Sequence, residues 1–588
     1  MSLVPGSGLV TLGLPRAVGT AVTLLAPILL AQFTLRQDSQ AWGSSAPLRR
    51  SEWSAEAPRA ASALTPDRNN LEHVARAGVE RLSPALPDEL SAGSQAPSKA
   101  LAVPENAIVY RVQPGDTLLG LANRFQVTLE EIRSLNELGM LDSQLLDPGW
   151  QLVLAPGAAS VVGSEMLLPD SEIVLSPSVV GFDLAEFVAP FGGYLSAYRQ
   201  RIDGEWISGP EVVARAAREH SVNPRLLLAI LEYRSGWLTN PAIPADQNRK
   251  FPIWEGDGRL QGLYLQLTWV ANELSEAYYG WREGAFLELT FANGTVLPLA
   301  PDLNAGSVAV QHLLSHFYYS GSAYQAAPPG DGLMATYAQL FGEPWTFELP
   351  LFGPHVSQPS MSLPFASDHP WLFTGGPHGA WGPDSGWAAV DFAPKWDRER
   401  RTSDNEVVAV ADAVVARMDP GVVVLDLDGD GYEQTGWVVM YLHVIPSDGI
   451  EVGAVVAQGE LVGYASEVGG VTHGLHLHLA RKYNGEWILA DGPLPMDLGG
   501  WRVRAGGEAY QGVLFREGCE LLACPCASQN LLSVGGGVGL AVSIQPANLQ
   551  GCCPAPMQPE EAIVIGLSSG VPSSTQPDLT GSGDLGPS

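Results

Sequence analysis

The chain has 588 residues, of which 46% are hydrophobic, enough to build several cores. At roughly 100 to 200 residues per domain, three or four domains are expected. Acidic residues number 63 against 32 basic ones, a formal net charge of −31 that excludes nucleic acid and anionic lipid as electrostatic partners and suits a soluble protein that resists self-association.

Arg16 precedes an apolar run, AVGTAVTLLAPILLAQF over 17–33, with no further charge before Arg36. The run is long for a signal-peptide core and short for a membrane span of roughly 20 residues. Residues 1–41 are therefore read as a signal peptide or an N-terminal anchor, with SQA ending at Ala41 as a distant cleavage site. Membrane contact is expected only through such an anchor. Residues 42–107, rich in Ala, Ser, Pro and Glu without sustained periodicity, read as a disordered linker.

From 108 the character changes. YRVQPGDTLLGLANRFQVTLEEIRSLNELGMLDSQLLDPGWQLVLAP (110–156) predicts a strand, a Pro-Gly-Asp-Thr turn, two helices and a closing strand after a Pro-Gly turn. Asp116 and Thr117 are candidate caps of the first helix, and Leu118, Leu121, Ala122 and Phe125 form its apolar stripe. Asn136 is expected to end the second helix in a left-handed conformation. Spacing alone names no ligand for this βααβ module. It resembles the LysM domain at Tyr110, Val112, GDTL (115–118), Ala122, Asn136 and PGWQLVL. The resemblance implies a glycan-binding domain over 108–156 that takes N-acetylglucosamine-containing glycans, chiefly peptidoglycan. Residues 157–178 are expected to be a second linker.

Residues 179–350 are mainly helical and aromatic-rich. GPEVVARAAREHSVNPRLLLAILEYRSGWL (209–238) predicts two helices broken at Asn223 and Pro224. QGLYLQLTWVANELSEAYYGW and NAGSVAVQHLLSHFYYS predict two more. The order resembles the lysozyme-like fold of lytic transglycosylases, which would imply glycan cleavage by a glutamate acid. Those enzymes place Glu immediately before Ser-Gly, whereas Arg234 precedes Ser235 here. Glu232 lies about 200° round the helix from the required place, so it does not stand in, and it is read as a surface ion-pair partner. His73, His220, His312 and His316 fall on helix-like or linker patterns that need no special role.

Residues 361–518 carry Gly-rich turns and alternating strands, such as VVAVADAVVARMD and GVVVLDLD, that describe an antiparallel β domain. Five of the 11 histidines lie between 378 and 478. FTGGPHGAWGPDSGWAAVDFAP (373–394) supplies His378 and, in the strand AAVDF, Asp391; GWVVMYLHV (436–444) supplies His443. In VTHGLHLHLA (471–480) period-two alternation puts His476 and His478 on one face and Leu475, Leu477 and Leu479 on the other. One His and one Asp from one segment, with a His from an opposing strand, meet the needs of a zinc ion with an open fourth position. Two further histidines suit proton transfer and oxyanion stabilisation.

These residues resemble the lysostaphin-type zinc endopeptidases, on YLH, GELVGYAS and GLHLHL. The resemblance implies Zn2+ bound by His378, Asp391 and His478, with His443 and His476 as the catalytic histidines. In that family the His and Asp commonly stand four apart; here twelve residues separate them, and Asp384 competes with Asp391 for the place. The strand context of AAVDF favours Asp391. DLDGDG (426–431) matches half of a calcium loop, but Trp437 occupies the position of the bidentate Glu, and a hairpin tip is the better reading. Cys519, Cys524, Cys526, Cys552 and Cys553 all fall in a Gly/Pro/Ser-rich stretch, 519–588, read as a disordered tail.

The expected architecture is multidomain α+β: a LysM module, a helical lysozyme-like domain and an antiparallel β-sheet metallopeptidase domain. The expected function is an exported zinc metalloendopeptidase, extracytoplasmic and wall-anchored, that cleaves peptide cross-links or stems of peptidoglycan. Two alternatives stay open: a non-catalytic wall-binding or regulatory protein with a degenerate peptidase-like domain, and glycan cleavage through the helical domain.

Overall fold

In the computed structural model the described residues are 106–138, 145–156, 163–365, 371–383, 385–394, 405–470, 472 and 474–524, with the backbone of 531–532. The expected leader or anchor, nearly all of the 42–107 linker, Asp384, His473 and most of the C-terminal tail lie outside them. Among the described residues no helix is long and apolar enough to cross a membrane.

Strand β1 (Ile108–Arg111) pairs antiparallel with β2 (Gln151–Leu154), and helices α1 (Leu118–Phe125) and α2 (Leu129–Asn136) lie between them in sequence. Thr117 caps α1 by accepting from the Gly120 amide. The stripe Leu118, Leu121, Ala122 and Phe125 closes over Tyr110, Val112, Leu152 and Leu154. Asp116 is no cap. Its buried carboxylate takes the Tyr110 hydroxyl and the Gln113 amide, each at 2.7 Å, and pairs with Arg124. The left-handed residue that ends α2 is Glu137 (φ 54°), not Asn136. Asn136 instead uses its amide to bind both backbone groups of Val153, at 2.7 and 2.9 Å, and so fastens α2 to β2.

The helical region centres on α3 (Gly209–His220), α4 (Pro224–Ser235), α5 (Leu263–Glu283) and α6 (Ala305–Ser315). A capping box between Ser208 and Glu211 starts α3, and Asn223 caps α4, where every residue from Pro224 to Leu231 is buried. The stretch 163–178, expected within a linker, is instead part of this core. Leu168, Ile173 and Val174 are buried, and Glu172 binds Arg225 in a buried ion pair at 2.7 Å.

The C-terminal region is built on a nine-stranded antiparallel sheet. Its central strands are β3 (Trp371–His378), β4 (Ala389–Pro394), β5 (Ala413–Asp419), β6 (Val422–Asp426), β7 (Trp437–Leu442) and β8 (Leu477–Tyr483), in the spatial order β5-β6-β7-β8-β4-β3. β6 and β7 are buried at every position, as expected of strands covered on both faces. A second, four-stranded sheet ends at Cys519–Leu522. The disordered tail therefore does not begin at 519, and both Cys519 and Cys524 are disulfide-bonded.

The helical region and the sheet share one continuous apolar core running from Leu167 to Leu521. β9 (Glu486–Trp487) folds back on β8 and is held by the helices. Ser221 donates to the Gly485 carbonyl (2.7 Å), the Tyr279 hydroxyl takes the Trp487 amide (3.0 Å), and the Tyr278 hydroxyl donates to Glu486 (2.6 Å). Arg282 on α5 also reaches the Pro114 carbonyl, so one helix touches both the LysM-like module and the sheet.

Candidate metal centre

The register of the sheet gathers the centre. His478 on β8 stands opposite Asp391 on β4 and Leu442 on β7, and Asp391 stands opposite Gly375 on β3. Two register shifts in β3, on either side of Gly375, carry His378 to the same place. Ser385, in the connection between β3 and β4, donates to the Gly382 carbonyl at 2.7 Å. The antiparallel return of β4 along β3 makes the separation in sequence immaterial.

Backbone carbonyls set the ring of each histidine. His378 Nδ1 lies 2.8 Å from the Gly376 oxygen and donates to it, which leaves the Nε2 lone pair free. His478 is arranged the other way: Nε2 donates to the Ala380 oxygen at 2.8 Å and Nδ1 is freed. The freed nitrogens lie 3.0 Å apart, and each is 3.3 Å from Asp391 Oδ1. Three buried lone pairs thus converge on one point.

The fit to a metal follows from these distances. Zinc bonds of about 2.0–2.1 Å in a tetrahedron require donors about 3.3 Å apart. Asp391 Oδ1 is buried yet accepts no hydrogen bond, an orphan that a cation would satisfy. Burial lowers His478, which keeps its ring neutral and able to ligate.

His443 follows β7 directly, with a strained φ of 64° that its backbone contacts enforce: its carbonyl takes the Ser466 amide at 2.7 Å. Its Nδ1 donates to the Val468 oxygen at 3.0 Å, and its ring lies 4.5 Å from that of His476. His476 Nδ1 donates to the Gly474 oxygen at 2.8 Å, and Nε2 lies 3.9 Å from Asp391 Oδ1. Burial, and then the His476 ring, push His443 down to about 4, so it is neutral near pH 7. Each of these histidines therefore presents Nε2 beside the ligand triangle.

Tyr510 joins the centre without any sequence pattern that points to it. Its ring stacks on His378 with centroids 4.0 Å apart, and its backbone bonds to Pro377 and Gly376. It lies in a turn far along the chain, and no spacing ties it to the histidines.

The other sequence candidates are arranged differently. Among the described residues Glu232 makes no ion pair; it accepts the amides of Leu238 (2.9 Å) and Thr239 (3.2 Å) and ties down the chain after α4. Arg234 donates to the Ile253 carbonyl and stacks 4.0 Å from the Phe317 ring. DLDGDG forms the connection between β6 and β7, where Asp426 accepts the amides of Asp428 and Gly431.

Comparison with known proteins gives two matching family models: LysM domain over residues 110–155, and LasA, N-terminal domain, over residues 166–355. The helical region, expected from the sequence to be lysozyme-like, is thus matched by the LasA N-terminal domain model, and the lysozyme-like fold is not shown. The chain is 27% identical over 319 residues to Protease LasA of Pseudomonas aeruginosa strain UCBPP-PA14, an alignment covering 50% of this chain and 69% of that protein. Protease LasA of strain PAO1 is also 27% identical, over 314 residues. Among solved structures, the M23 metalloprotease pseudoalterin, from the deep sea, aligns at 19% identity over 28% of this chain and 96% of its own, with a TM-score of 0.23. The catalytic domain of lysostaphin from Staphylococcus simulans aligns at 19% identity over 20% of this chain and 87% of its own, with a TM-score of 0.16.

Proposed function

We propose that this chain is an extracytoplasmic zinc metalloendopeptidase that cleaves peptide cross-links or stems of peptidoglycan and is held at the wall by its LysM-like module. The observation that carries the reading is the triangle of His378 Nε2, Asp391 Oδ1 and His478 Nδ1, with donors 3.0 to 3.3 Å apart. The similarity to Protease LasA supports a peptidase, and the LysM match supports a glycan-containing wall as the place of action.

His378, Asp391 and His478 would hold the ion, which when bound supplies a Lewis acid for the scissile carbonyl and acidifies water. His443, neutral and with Nδ1 committed to Val468, offers Nε2 as a proton acceptor. His476, with Nδ1 committed to Gly474, offers Nε2 on the same side, which once protonated donates toward the developing oxyanion. The carbonyl anchors keep both rings from turning, so each nitrogen serves one task.

Elemental analysis of the purified full-length protein, together with peptide release from isolated sacculi, tests the reading. One zinc bound at the sheet site and release of stem-peptide or cross-link fragments are expected. Zinc without release would favour the binding-only alternative, and glycan fragments alone would shift activity to the helical region.

A further inference from the structure

Helices α5 and α6 pack side by side, and their facing surfaces bring Glu273 together with His312 and with His316, the residue that caps α6. Glu273 Oε2 lies 3.0 Å from His312 Nε2 and 3.3 Å from His316 Nε2, and all three donor atoms fall within 4.8 Å of one another. His316 Nδ1 donates to the His312 carbonyl oxygen at 3.1 Å, so the neutral ring turns its Nε2 lone pair toward the carboxylate. A lone pair facing a carboxylate oxygen is repulsive unless the nitrogen is protonated or a cation lies between them. Glu276, one turn along α5, brings a second carboxylate to 3.8 Å from His312 Nε2.

The donor set, two imidazoles one helical turn apart and a carboxylate from a neighbouring helix, is the set that zinc favours. Two of its donor separations, 3.0 and 3.3 Å from Glu273 to the two imidazoles, equal values found in the sheet centre. Phe286 packs 4.8 Å from the His312 ring and Trp269 5.6 Å from the His316 ring, which gives the cluster an apolar wall. His316 also lines a cleft of about 470 Å³ with Arg234, Trp254 and Phe317, an entry path for an ion.

We propose that Glu273, His312 and His316 form a second site for a first-row divalent cation, zinc by its donor chemistry, which clamps α5 to α6. It is independent of the sheet centre and of the peptidase reading. The rival arrangement is a metal-free ion pair in which a protonated histidine sits on Glu273.

Full-length protein carrying His378→Ala and His478→Ala removes the sheet site from the measurement. Titration with Zn2+ alone against a chromophoric chelator should return one bound equivalent. Co2+ in its place should give the visible absorption of a four-coordinate nitrogen and oxygen site. Adding Glu273→Gln and His316→Gln, which keep size and polarity, should weaken binding by at least about 100-fold. No binding in the parent variant, or binding that survives the two added changes, overturns the proposal. Should these multiple variants fail to fold, Glu273→Gln alone in the otherwise unaltered protein decides: it must lower the total zinc by one equivalent, and an unchanged total refutes the site.

Discussion

Gly375 stands directly across the strand ladder from Asp391, and a β-carbon in its place would lie 2.6 Å from the carboxylate Oδ2. Real β-carbons do not approach other atoms so closely, so Gly375→Ala must push the Asp391 side chain out of the triangle. Zinc affinity is expected to fall by about 10- to 100-fold, the range for disturbed ligand orientation, with the fold kept. Chelator competition and a thermal unfolding scan measure the two effects separately. Unaltered affinity would mean that Asp391 is not a ligand.

His476 and His478, two residues apart, should behave differently. His478→Ala removes a donor from the triangle, and the sheet site should come out of purification with little zinc and no turnover. His476→Ala leaves the three donors in place and should keep near-stoichiometric zinc at that site while losing a factor of about 10² to 10⁴ in turnover. The same holds for His443→Ala. Equal zinc loss in the His476 and His478 variants would show that the roles are wrongly divided.

Glu433 is buried between two cations, with Arg417 Nε at 3.0 Å and Lys482 Nζ at 3.1 Å. Burial opposes its charge, but Arg417 and Lys482 outweigh that and lower it from 4.5 to about 2. The folded value lies below the unfolded one, so this stabilisation is complete above the unfolded value and is lost as pH falls toward the folded value. Glu433→Gln should cost about 3–5 kcal/mol near neutral pH, because buried Lys482 loses its carboxylate partner and buried Arg417 loses one of two. Urea melts at pH 7 and pH 3 should show the variant's deficit shrinking in acid. A deficit independent of pH would assign the loss to packing instead.

Glu232 holds backbone amides, and Glu232→Gln should act on stability rather than chemistry. A loss of about 1 kcal/mol is expected for weakening charge-assisted hydrogen bonds at a partly exposed site. Release of glycan fragments from sacculi should be the same before and after the change. Muramic-acid-terminated products that appear with the natural residue and vanish with Gln would show that this carboxyl is a glycosidase acid after all.

What a reader of the sequence can see depends on whether a residue's neighbours are close in the chain. The alternation in LHLHL is visible because a strand sends successive side chains to opposite faces, whatever packs on them. The cap Thr117 is visible for the same local reason. Residues 163–178 hide their role because Leu168, Ile173 and Val174 fill gaps between helices without a repeat of their own. Asn136 looks like a helix end, and only the approach of β2 shows that its amide serves a strand 17 residues on. His312 and His316 look like one face of an ordinary amphipathic helix. Their partner lies on another helix, 39 residues before His312, where no local pattern points to it.

Leu442, His478, Asp391 and Gly375 form a single rung across four neighbouring strands, and beside it His378 meets His478 from 100 residues away in the chain. In polymer terms, an ion held there is a removable cross-link closing a loop of that length. A chain that has only begun to pair its strands holds the donors apart and has no site, because β3, β4 and β8 must all be in register before the triangle exists. Capture of the proposed ion would therefore follow the pairing of these strands, and a chelator would cut the tie at the middle of the sheet.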